Sequence, residues 1–200
     1  MNENIVYYFA VFITAYLFGS FPSAYLIVKL TSKKDVRKEG SGNVGTLNAL
    51  RASKSKSIAA IVLILDLLKG WLPAYFITKY FAEDFFIIMA VVIGVLLGHI
   101  FSMWLKFQGG RGLAVTAGAL LVISPLSVAI WLATWILFYI FLRKHIVVSL
   151  IATFLLPVIV FFISDSVFNK EILLVVLPVC FIIFLKHIER VPDMLTVIKK

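Results

Sequence analysis

Charge is scarce in this chain. Only 14% of its 200 residues are Asp, Glu, Lys or Arg, against about a quarter in soluble domains. That shortage excludes a water-soluble globular fold for most of the length. Cysteine occurs once, at Cys180, inside an apolar run. One thiol cannot close an intramolecular disulfide, and no CxxC or Cys/His cluster offers a zinc site, so Cys180 reads as a packing residue. Histidine occurs three times, at His99, His145 and His187, with no HxxxH or HExxH spacing. No metal and no organic cofactor is therefore expected. A Walker loop is missing, as is a Rossmann fingerprint with its preceding strand. Strict apolar/polar alternation over about ten residues is absent too, which argues against a membrane β-barrel.

What is there is hydrophobic. Apolar residues make up 62% of the chain, and the mean hydropathy is +1.05. Several apolar runs approach the roughly 20 residues needed to cross a bilayer. The reading is an all-α, polytopic membrane protein in one domain, 1–200. Seven spans are expected, at about 5–28, 57–78, 85–104, 113–123, 126–142, 147–163 and 172–186. The fourth is short, and Ser124-Pro125 ends it. The first run lacks the basic leader of a signal peptide and is too long for one, so it is expected to stay as a span. No internal repeat is evident, which counts against an inverted-repeat transporter.

Charge placement gives the orientation. Segments 29–56, 105–112, 143–146 and 186–200 hold eight, two, two and four of the 19 Lys and Arg. The opposite side carries only Lys79 and Lys170, and Lys69 lies inside a span. Such asymmetry predicts an N-terminus outside and a C-terminus in the cytoplasm. The net charge of +9 then reflects cytoplasmic loops facing anionic headgroups, and no nucleic-acid partner is expected.

Three polar constellations interrupt the apolar runs. "GSGNVGTLNALR", 40–51, combines three glycines with Ser41, Asn43, Thr46, Asn48 and Arg51. Successive N–H groups in such a loop can form an anion nest, and a guanidinium suits phosphate; a plain solvated loop is the competing reading. "GHIFSMWLKFQGGRGLA", 98–114, sets Gly109, Gly110, Arg111 and Gly112 at the start of a helix, where unpaired N–H groups bind anions. A tight turn with a snorkelling arginine is the competing reading there. Asp66 and Lys69 are three apart and share a helix face at membrane depth. They form an ion pair or line a polar cavity, since an isolated charge there costs at least about 2.5 kcal/mol. Loops and charges that gather on one face point to a phosphate-bearing substrate handled at the membrane surface.

These residues also resemble a known family, the bacterial acyl-phosphate:glycerol-3-phosphate acyltransferases of the PlsY type. "AYLFGSFPSAYLI" is similar to the family's first span, through Gly19, Ser20 and Pro22. "DVRKEGSGNVGTLNALR" resembles its first motif, from Asp35 and Arg37 to Arg51. "DLLKGWLP", "GHIFSMWLKFQGGRGLA" and "KHIER" follow in the family's order. The chain departs from the pattern at Val44, Thr46 and Leu47, at Arg111 in place of lysine, at Val115, and at Ile188 and Arg190, where the family carries HRxN.

The resemblance implies transfer of a fatty acyl group from acyl phosphate to the 1-hydroxyl of sn-glycerol 3-phosphate, giving lysophosphatidic acid and phosphate. It implies a plasma-membrane enzyme, working as a monomer on the cytoplasmic face. The residues expected to carry the reaction are Ser41, Arg51, Arg111 and His187. Those expected at the substrates are Gly40, Gly42, Asn43, Gly45, Asn48, Asp66, Lys69, His99, Gly109, Gly110, Gly112 and Arg190. No base is identifiable beside Ser41, so hydrogen bonding is its role. A substrate phosphate oxygen or His187 takes the proton. The fifth residue after each histidine is Trp104, Leu150 or Pro192, which excludes the HxxxxD pattern of other glycerolipid acyltransferases. The alternatives are a divergent paralogue acting on another acceptor, and a small transporter or lipid-binding membrane protein.

Overall fold

The structure is a computed structural model that describes residues 3–81, 84–167 and 171–189. Those residues contain nine α-helices, two short 3-10 turns and no strand. Six segments are long and apolar enough to cross a membrane. The remaining expected span, 113–123, is the 11-residue helix α6, Leu113–Ile123. At 1.5 Å per residue it reaches about 16 Å, half of a bilayer's hydrocarbon core.

The first apolar run is broken. Helix α1 covers Glu3–Gly19 and α2 covers Ser23–Ser32. Pro22 has no N–H and restricts Phe21 to extended backbone, so the helix stops there. The Phe21 carbonyl then accepts only a local bond from the Ser23 N–H at 3.0 Å within the backbone. A bare carbonyl at this depth needs a further donor, and one arrives from α4, as described below.

The chain divides into two compact units, Met1–Ile123 and Ser124–Lys200. In the first, α1 packs along α5 (Phe85–Ile100), and α4 (Lys56–Phe81) packs along α6. Both pairs meet through glycine. A side chain at Gly98 would run into the Tyr16 carbonyl of α1, and one at Gly70 into the Val115 carbonyl of α6. In lipid, apolar surface supplies no drive for helices to associate, so close backbone approach and dispersion do that work. Beneath the first glycine loop, Ala24, Val28, Val36, Val44, Ala49, Ala52, Val62 and Leu105 form a small closed core. It links α2, the short turn Val36–Lys38, α3 (Thr46–Ser53) and α4.

The second unit holds α7 (Pro125–Leu142), α8 (His145–Val167) and α9 (Glu171–Ile188). Trp131 and Trp135 of α7 donate through Nε1 to Thr153 Oγ1 and Ser149 Oγ of α8, at 3.1 and 3.2 Å. Cys180 is buried beside Leu156, Val160 and Val176, as a packing residue should be.

Helix ends show a pattern. Lys33, Lys54 and Arg143 close α2, α3 and α7 with φ of 57°, 56° and 49°, and Lys106 ends the 3-10 turn Met103–Leu105 with φ 56°. This left-handed position usually belongs to glycine. Here basic residues occupy it, and their charge favours the negative end of a helix.

The glycine contacts give a direct expectation. Gly70→Ala forces a methyl against rigid backbone of α6, and overpacking of this kind costs about 1–3 kcal/mol. Its thermal unfolding midpoint in detergent should fall clearly, while Ala60→Leu, on an exposed position of the same helix, should leave it nearly unchanged.

Candidate active site

The first glycine loop is built from its flanks. Asp35 caps the turn Val36–Lys38 by accepting the Arg37 N–H at 3.0 Å, and it accepts the Arg37 guanidinium through both carboxylate oxygens at 3.0 and 2.7 Å. The Arg37 guanidinium also lies 4.9 Å from the centre of the Tyr25 ring. Hydrogen bonding from Arg37 holds the Asp35 carboxyl below the usual carboxylate value, against the opposing effect of burial, and Asp35 in turn raises Arg37.

Asn48 shapes the loop from inside. It is buried, its Oδ1 accepts the Ser41 N–H at 2.9 Å, and its Nδ2 donates to the Val36 and Glu39 carbonyls at 2.8 and 3.0 Å. Asn48 was expected at the substrate, and the structure places its amide on the chain's own backbone. Gly40 is at φ 53°, and a side chain there would strike the Asn48 carboxamide. The same absent side chain would lie 3.5 Å from Arg51 Cβ and Cδ, so the stem of Arg51 runs over Gly40 while the residue remains exposed. The Ser41 hydroxyl and the Asn43 amide are half-buried and make no hydrogen bond to the described residues. Gly42 is also left-handed, at φ 69°, and Gly45 precedes α3 as its N-cap. Of the unusual residues in this loop, Val44 is buried in the small core beneath it, so its departure from the family pattern is one of packing. Thr46 begins α3, and Leu47 is exposed.

The second loop meets the first. The Val44 N–H donates to the Gly109 carbonyl at 3.4 Å, and the Gly110 N–H donates to the His99 carbonyl at 3.0 Å. Gly112, at φ 90°, turns the chain into α6, and its carbonyl accepts the Thr116 N–H at 2.9 Å. The first N–H groups of α6 thus follow directly on the glycine turn, where helix ends attract anions. Arg111 is half-buried in that turn.

Below the second loop lies a buried ionic cluster. Asp66 and Lys69 form an ion pair at 2.7 Å, with side chains 2% and 7% exposed. Ser23 donates to Asp66 Oδ1 at 2.5 Å. Lys69 Nζ donates to the Phe21 carbonyl at 2.9 Å and to Ser23 Oγ at 3.1 Å, and it stands 3.4 Å from His99 Nδ1. The expected pair therefore exists, but its bonds run to the protein. Asp66 and Lys69 hold the helix break, α4 and the end of α5 together. Ser23 was missed by sequence reasoning. The available signal was a hydroxyl straight after Pro22 in an otherwise apolar run.

His187 belongs to the second unit. It is buried, and its Nδ1 lies 2.8 Å from the Ile183 carbonyl. A carbonyl only accepts, so Nδ1 carries the proton in this contact. Arg190 lies outside the described residues.

A polytopic helical protein with two joined glycine turns over a buried ion pair is the class these features define. The family model for glycerol-3-phosphate acyltransferase matches residues 9–196. A glycerol-3-phosphate acyltransferase of Wolbachia sp. subsp. Brugia malayi is 34% identical over 187 residues, covering 94% of each chain. One from Bordetella pertussis is 33% identical, covering 93% of this chain and 87% of that one. A crystal structure of PlsY (YgiH), an integral membrane glycerol 3-phosphate acyltransferase in its glycerol 3-phosphate form, superposes with a TM-score of 0.82. It shares 28% identity over 94% of this chain and 92% of that one. The chain belongs to the glycerol-3-phosphate acyltransferase family, of the PlsY type, and is a multi-pass membrane protein.

Two expectations follow. Asp66→Ala leaves a buried ammonium unpaired, which costs about 3–5 kcal/mol; the double change Asp66→Ala with Lys69→Met should recover much of that loss, as read by thermal unfolding in detergent. Asp35 has a depressed carboxyl, so its support of the loop is complete above the ordinary value of 3.8 and is lost as pH falls through the lower native value. Amide protection at Arg37 should hold down to about pH 4 and fall below it, and Asp35→Asn should abolish that acid step.

Proposed function

We propose that the protein transfers a fatty acyl group from acyl phosphate to the 1-hydroxyl of sn-glycerol 3-phosphate. The products are lysophosphatidic acid and inorganic phosphate. The reaction takes place at the cytoplasmic face of the plasma membrane. The observation that carries this reading is the junction of the two glycine turns, with Ser41, Asn43 and Arg51 beside it and the first N–H groups of α6 following it. Membership of the acyltransferase family supports it, as does the likeness to PlsY structures in glycerol 3-phosphate and lysophosphatidic acid forms.

The chemistry needs orientation and charge more than a covalent nucleophile. An acyl phosphate is a mixed anhydride with a good leaving group. The glycerol hydroxyl oxygen attacks the acyl carbon, the acyl carbon–oxygen bond to phosphate breaks, and the phosphate departs with the electron pair. The hydroxyl proton passes to a phosphate oxygen of the substrates, and a His187→Ala variant that keeps its kcat would support that route. Arg51 and Arg111 hold phosphate groups through planar, permanently charged forks. Backbone N–H groups of both turns stabilise charge that builds on the leaving oxygens. Ser41 and Asn43 orient the acceptor.

Purified protein in detergent should release phosphate from palmitoyl phosphate only when glycerol 3-phosphate is present, with lysophosphatidic acid formed in equal amount. Folded protein yielding neither product would refute the activity. Loss of a charged hydrogen bond is worth about 1.5–3 kcal/mol, so Arg51→Ala should raise the KM for glycerol 3-phosphate by about tenfold or more. An unchanged KM would remove Arg51 from the phosphate. Arg190→Asn tests whether the departure in the last motif alters the acceptor: turnover of glycerol 3-phosphate should rise if it does.

A further inference from the structure

The buried cluster leads mechanically to the second glycine turn. Lys69 Nζ has three protons and four acceptors around it, the Phe21 carbonyl, Ser23 Oγ, Asp66 Oδ1 and His99 Nδ1. The first three lie at 2.7–3.1 Å and His99 at 3.4 Å. Ser23 gives its single proton to Asp66 and keeps a lone pair for Lys69. It therefore fixes both members of the pair at once. His99 Nδ1 is 3.9 Å from Asp66, beyond hydrogen-bond reach, so its close polar neighbour is the ammonium.

The far edge of the same imidazole meets Gly110. A side chain at Gly110 would land on His99 Nε2, Cε1 and Cδ2, and the Gly110 N–H is bound to the His99 carbonyl at 3.0 Å. His99 is only 7% exposed and has no room to swing aside. The ring is thus a strut, with the ammonium at one end and the turn's backbone at the other. Any shift of Gly110 passes to Gly109, whose carbonyl receives the Val44 N–H of the first loop.

We propose that Ser23 is a positioning residue for the Gly109–Gly112 turn, acting through Lys69 and the His99 strut, and that it thereby sets the turn's affinity for a phosphate group. The phosphate belongs to the acyl phosphate or to glycerol 3-phosphate, and this part rests on the function proposed above. Without the Ser23 oxygen, the third proton of Lys69 has only His99 Nδ1 to go to. Ammonium and ring are drawn together, the far edge of the ring withdraws from Gly110, and the turn loses its support. Threonine, with the same oxygen on the same carbon, keeps the arrangement.

Three measurements test it. Ser23→Ala should raise the dissociation constant for inorganic phosphate and the KM for one phosphate substrate by about fivefold or more, with kcat changed less. Ser23→Thr should restore both. Which KM moves, that of palmitoyl phosphate or that of glycerol 3-phosphate, identifies the phosphate on this turn. For the strut itself, Gly110→Ala should weaken phosphate binding, and adding His99→Ala should recover part of it because the methyl then has space. That non-additivity is the signature of direct coupling. Phosphate binding that is unchanged in Ser23→Ala, no rescue by threonine, or effects at 99 and 110 that simply add would each overturn the proposal. Phosphate binding and thermal unfolding need no acyl transfer. A wild-type protein that shows the coupling without turnover would support the strut while refuting the proposed reaction.

Discussion

One ammonium group, on Lys69, organises the first unit. Placed at membrane depth, it must be surrounded by acceptors, because lipid offers none. Asp66 supplies the counter-charge, Ser23 an oxygen, and Phe21 a carbonyl that Pro22 left without a helical partner. Phe21 and Ser23 come from the break between α1 and α2, and Asp66 from α4 itself. Satisfying the charge therefore fixes where α1 ends, where α2 begins and how α4 lies against both. The helix break is not a defect beside the ion pair. It is one of the pair's ligands.

Close backbone contact makes this possible. Gly98 lets α5 lie on α1, and Gly70 lets α4 lie on α6. These positions flank the polar residues: Gly98 precedes His99, and Gly70 follows Lys69. The same closeness that replaces hydrophobic drive in lipid also narrows the space around the charges, which are almost fully buried. Above them, Asn48 and the Asp35–Arg37 pair hold the first loop by its backbone. That leaves the Ser41 hydroxyl and the Asn43 side-chain amide without partners among the described residues, which is the condition under which a loop can hold something else.

Sequence reasoning reached the parts governed by local rules. Long apolar runs marked six segments that the structure has as helices, and the short run 113–123 became a helix too short to cross alone. Asp66 and Lys69 were legible as a pair because three residues on a helix make neighbours. What escaped depended on distant contacts. Ser23 is 43 residues from Asp66, and nothing in its own neighbourhood reveals that it touches two charges. Asparagine in a glycine loop suggests a ligand contact; only the fold shows the Asn48 amide bonded to the loop's own backbone. The split of the first run into α1 and α2 was written in Pro22, but hydropathy averages over a proline and does not register a lost N–H.

The basic residues at the helix ends have a further meaning. Lys33, Lys54, Lys106 and Arg143 hold a backbone conformation that costs a non-glycine residue about 1–2 kcal/mol. Glycine at these places would relieve the strain. It would also erase charges of the kind that decide which way a helical chain threads into a membrane. Two physical demands thus meet at the same four residues and pull against each other, one from backbone geometry and one from charge. Glycine at all four would cut the basic residues of segments 29–56, 105–112, 143–146 and 186–200 from sixteen to twelve. The backbone strain and the positive charge thus sit on the same residues, so relieving one removes the other.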